Sequence, residues 1–247
     1  MINLKNKYCL VTGCNGYIGY AITKKLKGLG AKVIGVDLMS KKKNPNLSFF
    51  VKINLDYKTE IDKLIKILNT KFKKIDILIN NAGYVGESSI NKVTDSKIFY
   101  NEKYENLNLT NSIYLTNSLV PLIKKSKSAS IINICSIYSL LAYDYSLYKE
   151  TKMKPPMAYG VSKAGLMHYT KLLSTALAPG IRVNSISPGG IFRNQPKKFI
   201  KRYLDKTPLL RMGHENDVAN SVIFLSSELS SYITGQNLVV DGGYSVS

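Results

Sequence analysis

"LVTGCNGYIGYAIT", residues 10–23, leads from an apolar run through closely spaced glycines into a stretch of helical period. A strand that ends at Thr12 and is followed by Gly13, Gly16, Gly19 and a helix is typical of a turn that binds a pyrophosphate. In such a turn the backbone N–H groups at the helix N-terminus face the anion, and glycine permits close approach of the backbone. The same pattern is compatible with a tight strand-to-helix turn that binds no ligand.

The rest of the chain repeats this alternation of strand and helix. Short runs rich in Val and Ile are separated by longer stretches of helical period, for example residues 60–72 and 214–227. We therefore predict an α/β fold of the Rossmann type, a doubly wound, seven-stranded parallel sheet flanked by helices, with ligands bound beyond the carboxyl ends of the strands. The predicted strands are residues 8–12, 32–37, 47–53, 75–80, 130–136, 181–187 and 236–242.

Length and composition bound the possible classes of protein. A chain of 247 residues with 45% hydrophobic content is expected to form a single domain over residues 1–247. It has no run of about 18 apolar residues and no signal-like N-terminus, so a cytoplasmic protein is expected. Cys9, Cys14 and Cys135 lack metal-binding spacing, and we interpret them as reduced packing residues with no metal site.

The net charge is strongly positive, with 35 Lys and Arg against 16 Asp and Glu. Such a balance suits nucleic acid, an anionic membrane or an acidic small molecule. Apart from Lys41–Lys43, however, the basic residues are scattered along the whole chain rather than gathered on one element. We therefore expect a solvated surface, with no nucleic-acid and no membrane partner.

The second predicted strand ends in Asp37. A carboxylate at that place can accept both hydroxyls of an adenosine ribose, which favours NAD as the cofactor. NADP is less favoured because its 2′-phosphate would face the carboxylate, although Lys41–Lys43 could partly offset the repulsion. The alternative is that Asp37 only caps a turn.

Three further motifs follow in order: "NNAG" at 80–83, "SIINICSIYS" at 130–139 and "YGVSK" at 159–163. With these motifs the chain resembles the short-chain dehydrogenase/reductase family over nearly its full length. The resemblance implies an NAD(P)-dependent oxidoreductase that acts on CH–OH groups. It implies that Tyr159 is the general acid/base, that Lys163 lowers the pKa of Tyr159 and binds the nicotinamide ribose, that Ser136 hydrogen-bonds the reacting oxygen, and that Asn108 holds a water of the proton relay.

Elementary chemistry supports the pairing of Tyr159 with Lys163. A phenol with a reference pKa of about 10 is a poor base at neutral pH, and a nearby cation stabilises the phenolate. Residues at i and i+4 lie on one helix face, so Lys163 can supply that cation. Two assignments have rivals close by: Ser139 for Ser136, and the neighbouring Asn106 and Asn111 for Asn108.

The resemblance also implies the cofactor contacts. Ile191, in "SISPGGIF", is expected to offer its N–H to the carboxamide, and "NNAG" to shape a loop against the adenosine. Many members carry Thr where this chain has Arg193, so we expect one hydroxyl contact to be lost and the arginine to face an anionic substrate. The predicted cofactor-binding residues are Gly13, Asn15, Gly16, Tyr17, Ile18, Gly19, Asp37, Leu38, Asn54, Leu55, Asn81, Ala82, Gly83, Tyr159, Lys163, Pro188, Gly189 and Ile191.

Tyr17 stands where the glycine spacing departs from the expected one. The short, single-domain branch of the family usually has TGxxxGxG, whereas this chain has the TGxxGxxG of the longer sugar-nucleotide branch. Its length, "NNAG" and the terminal "TGQNLVVDGGYS" resemble the short branch. Tyr17 is therefore expected to begin the helix, and to cover the pyrophosphate or line the cofactor edge; the alternative is that it packs under the loop.

The substrate is predicted from an enlarged loop at about residues 140–157. Ser136 and Tyr159 are 23 residues apart, and the resemblance implies about a dozen residues between such positions. The tyrosines, acids and lysines of the loop suit a polar, ring-shaped substrate that carries phosphate. This segment and "PGGIFRNQP" resemble members associated with bacterial surface-sugar and flagellin modification.

We therefore expect a small-molecule substrate, an anionic sugar that is phosphorylated or nucleotide-linked. One alternative is a 3-oxoacyl-[acyl-carrier-protein] reductase that uses NADPH, and another, of a different class, is a non-catalytic dinucleotide-sensing regulator. The family resemblance also implies a homodimer or homotetramer built through the helices that bear Asn108 and Tyr159.

Overall fold

The computed structural model describes residues 2–39, 44–85, 105–153 and 156–247. Seven parallel strands form one sheet in the order β3-β2-β1-β4-β5-β6-β7, which confirms the predicted doubly wound sheet. Each strand lies within three residues of its predicted bounds. The strands are β1 (Tyr8–Thr12), β2 (Lys32–Asp37), β3 (Phe49–Lys52), β4 (Ile77–Asn80), β5 (Ala129–Ile134), β6 (Ile181–Pro188) and β7 (Asn237–Val240).

Helices cover both faces of this sheet. The helices in the described ranges are α1 (Tyr17–Gly28), α2 (Lys58–Lys71), α3 (Asn111–Ile123), α4 (Met157–Leu177), α5 (Lys197–Leu204) and α6 (Glu215–Ser226). The helix α1 packs with α6 in one apolar core, whereas α2, α3 and α4 contribute to a second core on the opposite face. Because both faces are covered, the central strands are almost continuously apolar.

A chain of polar side chains crosses the second core and fixes α3 and α4 against the sheet. The amide of Asn80 donates to Thr116 of α3 at 2.8 Å and to Asn133 of β5 at 2.8 Å. The amide of Asn133 donates in turn to Thr170 of α4 at 2.8 Å. These bonds set the position of α4, the helix that carries Tyr159 and Lys163.

The carboxyl ends of the parallel strands meet at one edge of the sheet. Thr12, Asp37, Asn80, Ile134 and Pro188 are the last residues of β1, β2, β4, β5 and β6. Since β1 pairs with both β2 and β4, the direction of winding changes beside the glycine-rich turn. A crevice at this place is where doubly wound folds bind their ligands.

Two further features bear on the sequence predictions. The three cysteines are buried and free, and burial raises the pKa of the Cys14 and Cys135 thiols to about 12, as expected for inert packing residues. Within the described ranges, none of the helices is both long and apolar enough to cross a bilayer.

Candidate active site

A cavity of about 780 Å³ opens at the carboxyl edge of the sheet, above the ends of β1, β2, β4, β5 and β6. Every residue predicted to contact the cofactor lines it, and so does Ser136. Asn108 does not line it but lies behind the wall. Arg193, which was expected to face a substrate, lines the cavity as well. The cavity also contains residues that were not predicted: Met39, Ile53, Asp56, Tyr84, Val85, Leu107, Ile134, Cys135, Ile137, Tyr138, Gly190 and Gln195.

The glycine-rich turn has two glycines that no other residue could replace without movement of the backbone. Gly13 has φ +64°, in the left-handed region. A Cβ on Gly19 would overlap the carbonyl oxygen of Gly13. Gly16 differs, because its φ is −69° and a Cβ there would meet only that oxygen, at 3.5 Å. Asn81 fastens the turn by donating to the carbonyls of Thr12 and Gly13 at 2.9 and 3.0 Å, which assigns "NNAG" a shaping role.

The N-terminus of α1 opens into the same cavity. Its N-cap, Gly16, supplies no side-chain cap, and its first turn contains no acidic residue. The N–H groups of a first helical turn lack partners within the helix and carry a partial positive charge. Together with the cradle of Gly13 and Gly19, this end of α1 fits the pyrophosphate of a dinucleotide.

Asp37 holds the turn and also faces the cavity. One carboxylate oxygen accepts the backbone N–H of Asn15 at 3.0 Å, and the other accepts that of Met39 at 3.0 Å. Asp37 therefore does cap the turn, as the alternative interpretation expected. Each carboxylate oxygen still has a lone pair for a further hydrogen bond, and Asp37 lines the cavity, so it can also accept the ribose hydroxyls. Lys41–Lys43, invoked as a partial offset to its charge, lie outside the described residues.

Asp56 was missed by the sequence analysis. Its Oδ1 is buried and has no hydrogen-bond partner, although the residue lines the cavity beside Asn54 and Leu55. The segment is fixed from behind, because the Asn111 amide donates to the carbonyls of Leu55 and Asp56 at 2.8 and 3.0 Å. An unpartnered buried acceptor suits a donor such as the exocyclic amine of adenine. The sequence signal that could have revealed Asp56 is its position directly after Asn54 and Leu55, which were predicted to bind the cofactor.

Ser136 and Tyr159 meet at the other end of the cavity. Burial raises the pKa of the Tyr159 phenol, while the neighbouring Ser136 hydroxyl and the positive charge of Arg193 act in the opposite direction. The two serines also cap the short 3-10 turn that follows: the Ser136 hydroxyl accepts the N–H of Tyr138 at 3.2 Å, and the Ser139 hydroxyl accepts the N–H of Ser136 at 3.3 Å. Ser136 lines the cavity, and Ser139 is not among its lining residues. Of the two serines, Ser136 is the one placed against Tyr159.

Lys163 lies one turn further along α4, on the same face as Tyr159, with its side chain buried. Its ammonium donates to the carbonyl oxygen of Ile134 at 2.8 Å and lies 5.9 Å from the centre of the Tyr159 ring. Burial lowers the pKa of this ammonium. That Lys163 lowers the pKa of Tyr159 stays a prediction.

Asn108 lies in a short π-helical segment, Asn106–Thr110, directly before α3. It is fully buried, accepts the N–H of Tyr84 at 2.7 Å, and donates to the carbonyl of Tyr84 at 2.9 Å. The rivals lie elsewhere: Asn111 holds the segment after β3, and Asn106 accepts the hydroxyl of Thr110. Asn108 is thus the asparagine beside the Lys163 side chain. The side chains of both residues border Gly83, where an added Cβ would lie 3.2 Å from the Asn108 Oδ1 and 3.3 Å from the Lys163 Nζ.

Tyr17 begins α1, as predicted, and is 65% exposed, so it does not pack under the loop. Its ring lies under the guanidinium of Arg193, whose Cζ is 4.9 Å from the ring centre. The backbone of Arg193 is fixed by Gln195, which accepts its N–H at 2.7 Å and donates to the carbonyl of Ile191 at 2.7 Å. The glycine-rich turn and the segment after β6 are thereby joined across the cavity.

The enlarged loop is attached to α5 and the residues that follow it. Asp144 forms an ion pair with Lys206, and Glu150 forms one with Lys198. The ring of Tyr148 packs on that of Phe199, with centroids 5.4 Å apart. The acids of the loop therefore face basic residues of this chain rather than a substrate, which differs from the use suggested by the sequence. Residues 154–155 of the loop lie outside the described part.

No cluster of three or more His, Cys, Asp or Glu side chains suited to a metal ion occurs in the parts of the chain that the structure describes.

The fold and the cavity define the class as a dinucleotide-binding oxidoreductase of the Rossmann type. A family model described as enoyl-(acyl carrier protein) reductase matches residues 15–245. The chain belongs to the short-chain dehydrogenase/reductase family and is an oxidoreductase that acts on CH–OH or carbonyl groups.

Three similar proteins illustrate the range of the family. The chain is 34% identical to the 3-oxoacyl-[acyl-carrier-protein] reductase FabG of Buchnera aphidicola, covering 98% of each chain. It is 30% identical to the post-translational flagellin modification protein A of Campylobacter coli, covering 98% of this chain and 99% of that one. A short-chain dehydrogenase from Leptospira borgpetersenii with bound NAD+ superposes with a TM-score of 0.88 at 36% identity, covering 99% of this chain and 94% of that one.

Proposed function

We propose that the protein is an NAD(H)-linked dehydrogenase or reductase in which Ser136, Tyr159 and Lys163 act on a carbinol or carbonyl carbon. The observation that carries the proposal is the convergence of these three side chains on one end of a cavity whose other end holds Asp37 and the glycine-rich turn. A bound nicotinamide would supply or accept the hydride. The cavity separates an adenosine end from a reacting end, as such a cofactor requires.

Each of the three residues has a role that its position supports. Tyr159 moves the proton to or from the reacting oxygen, because its phenol lies at the cavity wall close to Ser136. Ser136 hydrogen-bonds that oxygen. Lys163 adds positive charge behind the tyrosine and reaches the nicotinamide ribose, and Asn108 holds a relay water close to Lys163.

We infer that NAD is preferred over NADP. Asp37 presents a carboxylate where the adenosine ribose is expected, and a 2′-phosphate would be repelled at close range. The Leptospira relative with bound NAD+ supports the same preference.

For the substrate we propose an anionic sugar, phosphorylated or nucleotide-linked. Tyr138 lines the reacting end of the cavity and packs against Tyr143 of the enlarged loop, with ring centroids 4.1 Å apart. Flat aromatic walls of this kind suit a sugar ring. The two loop acids are already paired with Lys198 and Lys206, so they add little repulsion toward an anion. The flagellin modification protein among the relatives supports this choice.

We also propose a cytoplasmic homodimer or homotetramer. Val161 and Leu172 on α4 are 62% and 58% exposed, which is unusual for apolar residues on a long helix and suits burial against a second copy. The free, buried cysteines accord with a reducing compartment. Sedimentation velocity at several protein concentrations measures the subunit number directly, and a monomer at all of them contradicts the assembly.

The deciding experiment titrates the purified protein with NADH and with NADPH, followed by nicotinamide fluorescence and thermal unfolding. Tighter binding of NADH supports the proposal, and binding of neither contradicts it. Tyr159→Phe is then expected to lower turnover of an accepted substrate about 10²- to 10⁴-fold while NADH still binds. Tyr232→Phe, at a fully exposed tyrosine, is the matched control. Unchanged turnover in Tyr159→Phe would contradict the role given to Tyr159, whereas cofactor binding by the wild type with no turnover of any substrate tested would favour the dinucleotide-sensing regulator.

A second candidate is a 3-oxoacyl-[acyl-carrier-protein] reductase that uses NADPH. The match to the family model and the 34% identity to FabG of Buchnera aphidicola favour it. Its test is the oxidation of NADPH with an acetoacetyl carrier protein as substrate. Tighter binding of NADPH together with turnover of that substrate would place this candidate first.

A further inference from the structure

We propose that Tyr17 and Arg193 form a clasp across the dinucleotide cavity, in which the tyrosine ring holds the arginine over the N-terminus of α1 so that the guanidinium binds the cofactor pyrophosphate. This inference rests on the proposed function, since it concerns the cofactor of that same site. It departs from the expectation that Arg193 faces an anionic group of the substrate.

The two halves of the clasp come from opposite walls. Tyr17 is the first residue of α1, and Arg193 follows β6, at a distance of 176 residues along the chain. The Arg193 Cζ lies 4.9 Å from the centre of the Tyr17 ring, within the range of a cation–π contact. Both side chains line the cavity, and both residues are otherwise exposed. The contact therefore spans the mouth of the cavity rather than the core.

The position of the tyrosine identifies which anion the arginine would meet. Because Tyr17 begins α1, a guanidinium above its ring lies beside the helix end that carries the uncapped N–H groups. The pyrophosphate is the anion that this helix end and the Gly13–Gly19 cradle accommodate. The guanidinium of Arg193 comes from the wall of the cavity opposite this cradle, and it offers a planar set of donors suited to two phosphate oxygens.

Arg193 is available for this role. No carboxylate in the described part of the chain forms an ion pair with it. Its backbone is held by Gln195 and by the bridge between Ile191 and Gly213. That bridge uses the N–H of Phe192 and the carbonyl of Gly190, and not the N–H of Ile191. The segment is thus fixed while the long side chain crosses the cavity.

The clasp also explains why a bulky residue follows Gly16. Gly16 has an ordinary φ and room for a side chain, so the turn itself does not need glycine there. The side chain at position 17 is a large aromatic ring that is 65% exposed and lies under the guanidinium of Arg193.

The test compares the binding of NADH, ADP-ribose and adenosine to the wild type and to Arg193→Gln by calorimetry. Adenosine lacks the pyrophosphate, so only the first two ligands should lose affinity, by about 10- to 100-fold. Lys125→Gln, an exposed charge before β5 at the opposite edge of the sheet, is the control for loss of one positive charge. Thermal unfolding checks that each variant is folded.

Tyr17→Leu should weaken ADP-ribose binding about 2- to 5-fold, because the guanidinium loses its ring. Tyr17→Phe should restore most of that loss, since the ring is kept and only the hydroxyl is removed. Affinity for ADP-ribose within twofold of wild type in Arg193→Gln would overturn the clasp. If Arg193→Gln keeps its affinity for ADP-ribose but has a raised KM for a phosphorylated substrate, Arg193 binds the substrate instead. Failure of the wild type to bind either NADH or ADP-ribose would contradict the proposed function itself.

Discussion

The carbonyl oxygen of Gly13 occupies the space where a Cβ of Gly19 would lie. Since Gly13 also has φ +64°, the turn between β1 and α1 is closed by two glycines six residues apart, and the glycine between them is not needed for its shape. The unusual spacing of glycines in this chain therefore leaves the tight part of the turn intact.

Gly19→Ala should destabilise the protein by about 1–3 kcal/mol, because the backbone of the turn must move to accept the methyl group. It should also abolish detectable NADH binding, since the N–H groups that face the anion move with it. Gly16→Ala is the matched control, with a Cβ in ordinary contact at 3.5 Å, and should lower the free energy of unfolding by about 0.5–1 kcal/mol, because alanine is a poorer N-cap than glycine. It should still bind NADH, which Gly19→Ala should not. Equal losses in both variants, measured by urea unfolding, would contradict this account of the turn.

Asp56→Ala should weaken the binding of NAD without harming the fold, because the carboxylate oxygen that is lost has no partner in the protein. A lost hydrogen bond to a charged acceptor corresponds to about tenfold in affinity. Nicotinamide hypoxanthine dinucleotide, which lacks the exocyclic amine, provides the sharpest comparison. The wild type should prefer the adenine cofactor, and Asp56→Ala should bind both equally. A preference that survives the substitution would show that Asp56 does not contact the base.

Asp37→Asn should shift the ratio of NADH to NADPH affinity toward NADPH by about tenfold, because a negative charge is removed from beside the 2′-position. A modest fall in thermal stability should accompany it, since an amide nitrogen cannot accept the N–H of Asn15 or Met39 as a carboxylate oxygen does. Asp205→Asn, at the exposed end of α5, is the control for loss of one acid. If the fall in stability occurs with an unchanged affinity ratio, Asp37 serves the turn alone.

Arg193→Gln should move the pH profile of alcohol oxidation to more alkaline pH at saturating cofactor. The charge of Arg193 lowers the pKa of the Tyr159 phenol, so its removal raises that pKa, and the phenolate forms only at higher pH. Arg193→Lys, which keeps a positive charge, should shift the profile less. The measurement is kcat/KM against pH in the oxidative direction, and a shift toward acid pH would reverse the assigned sign.

The sequence predicted the sheet well because buried parallel strands read as apolar runs. Asp37 ends β2 and Ser136 follows β5, so the order of strands alone assigns both to one edge of the sheet, whereas Tyr159 lies on α4 and was placed there by the family resemblance. The choice of Ser136 and Asn108 over their rivals rested on the family resemblance, and the structure adds the local geometry: Ser136 lines the cavity while Ser139 does not, and Asn111 holds the carbonyl of Leu55.

Contacts between distant segments were beyond the sequence. Nothing in the pattern around Tyr17 indicates that Arg193 lies over its ring, because the two segments meet only through the order of the strands. The unpartnered oxygen of Asp56 is equally invisible, since an acid at the start of a helix ordinarily serves as a cap. The loop acids were assigned to a substrate because their partners, Lys198 and Lys206, lie some 50 to 60 residues away.

The attachment of the enlarged loop to α5 makes the two segments a single module for the engineering of specificity. Asp144 and Glu150 would lose their basic partners if residues 140–153 were transplanted alone into a relative, and the ring of Tyr148 would lose Phe199. A graft that exchanges the loop together with residues 197–206 keeps both ion pairs and the contact between the rings of Tyr148 and Phe199. Substrate selectivity in this fold therefore depends on the loop and on residues 197–206 together, and any recombination of family members would have to transfer both segments.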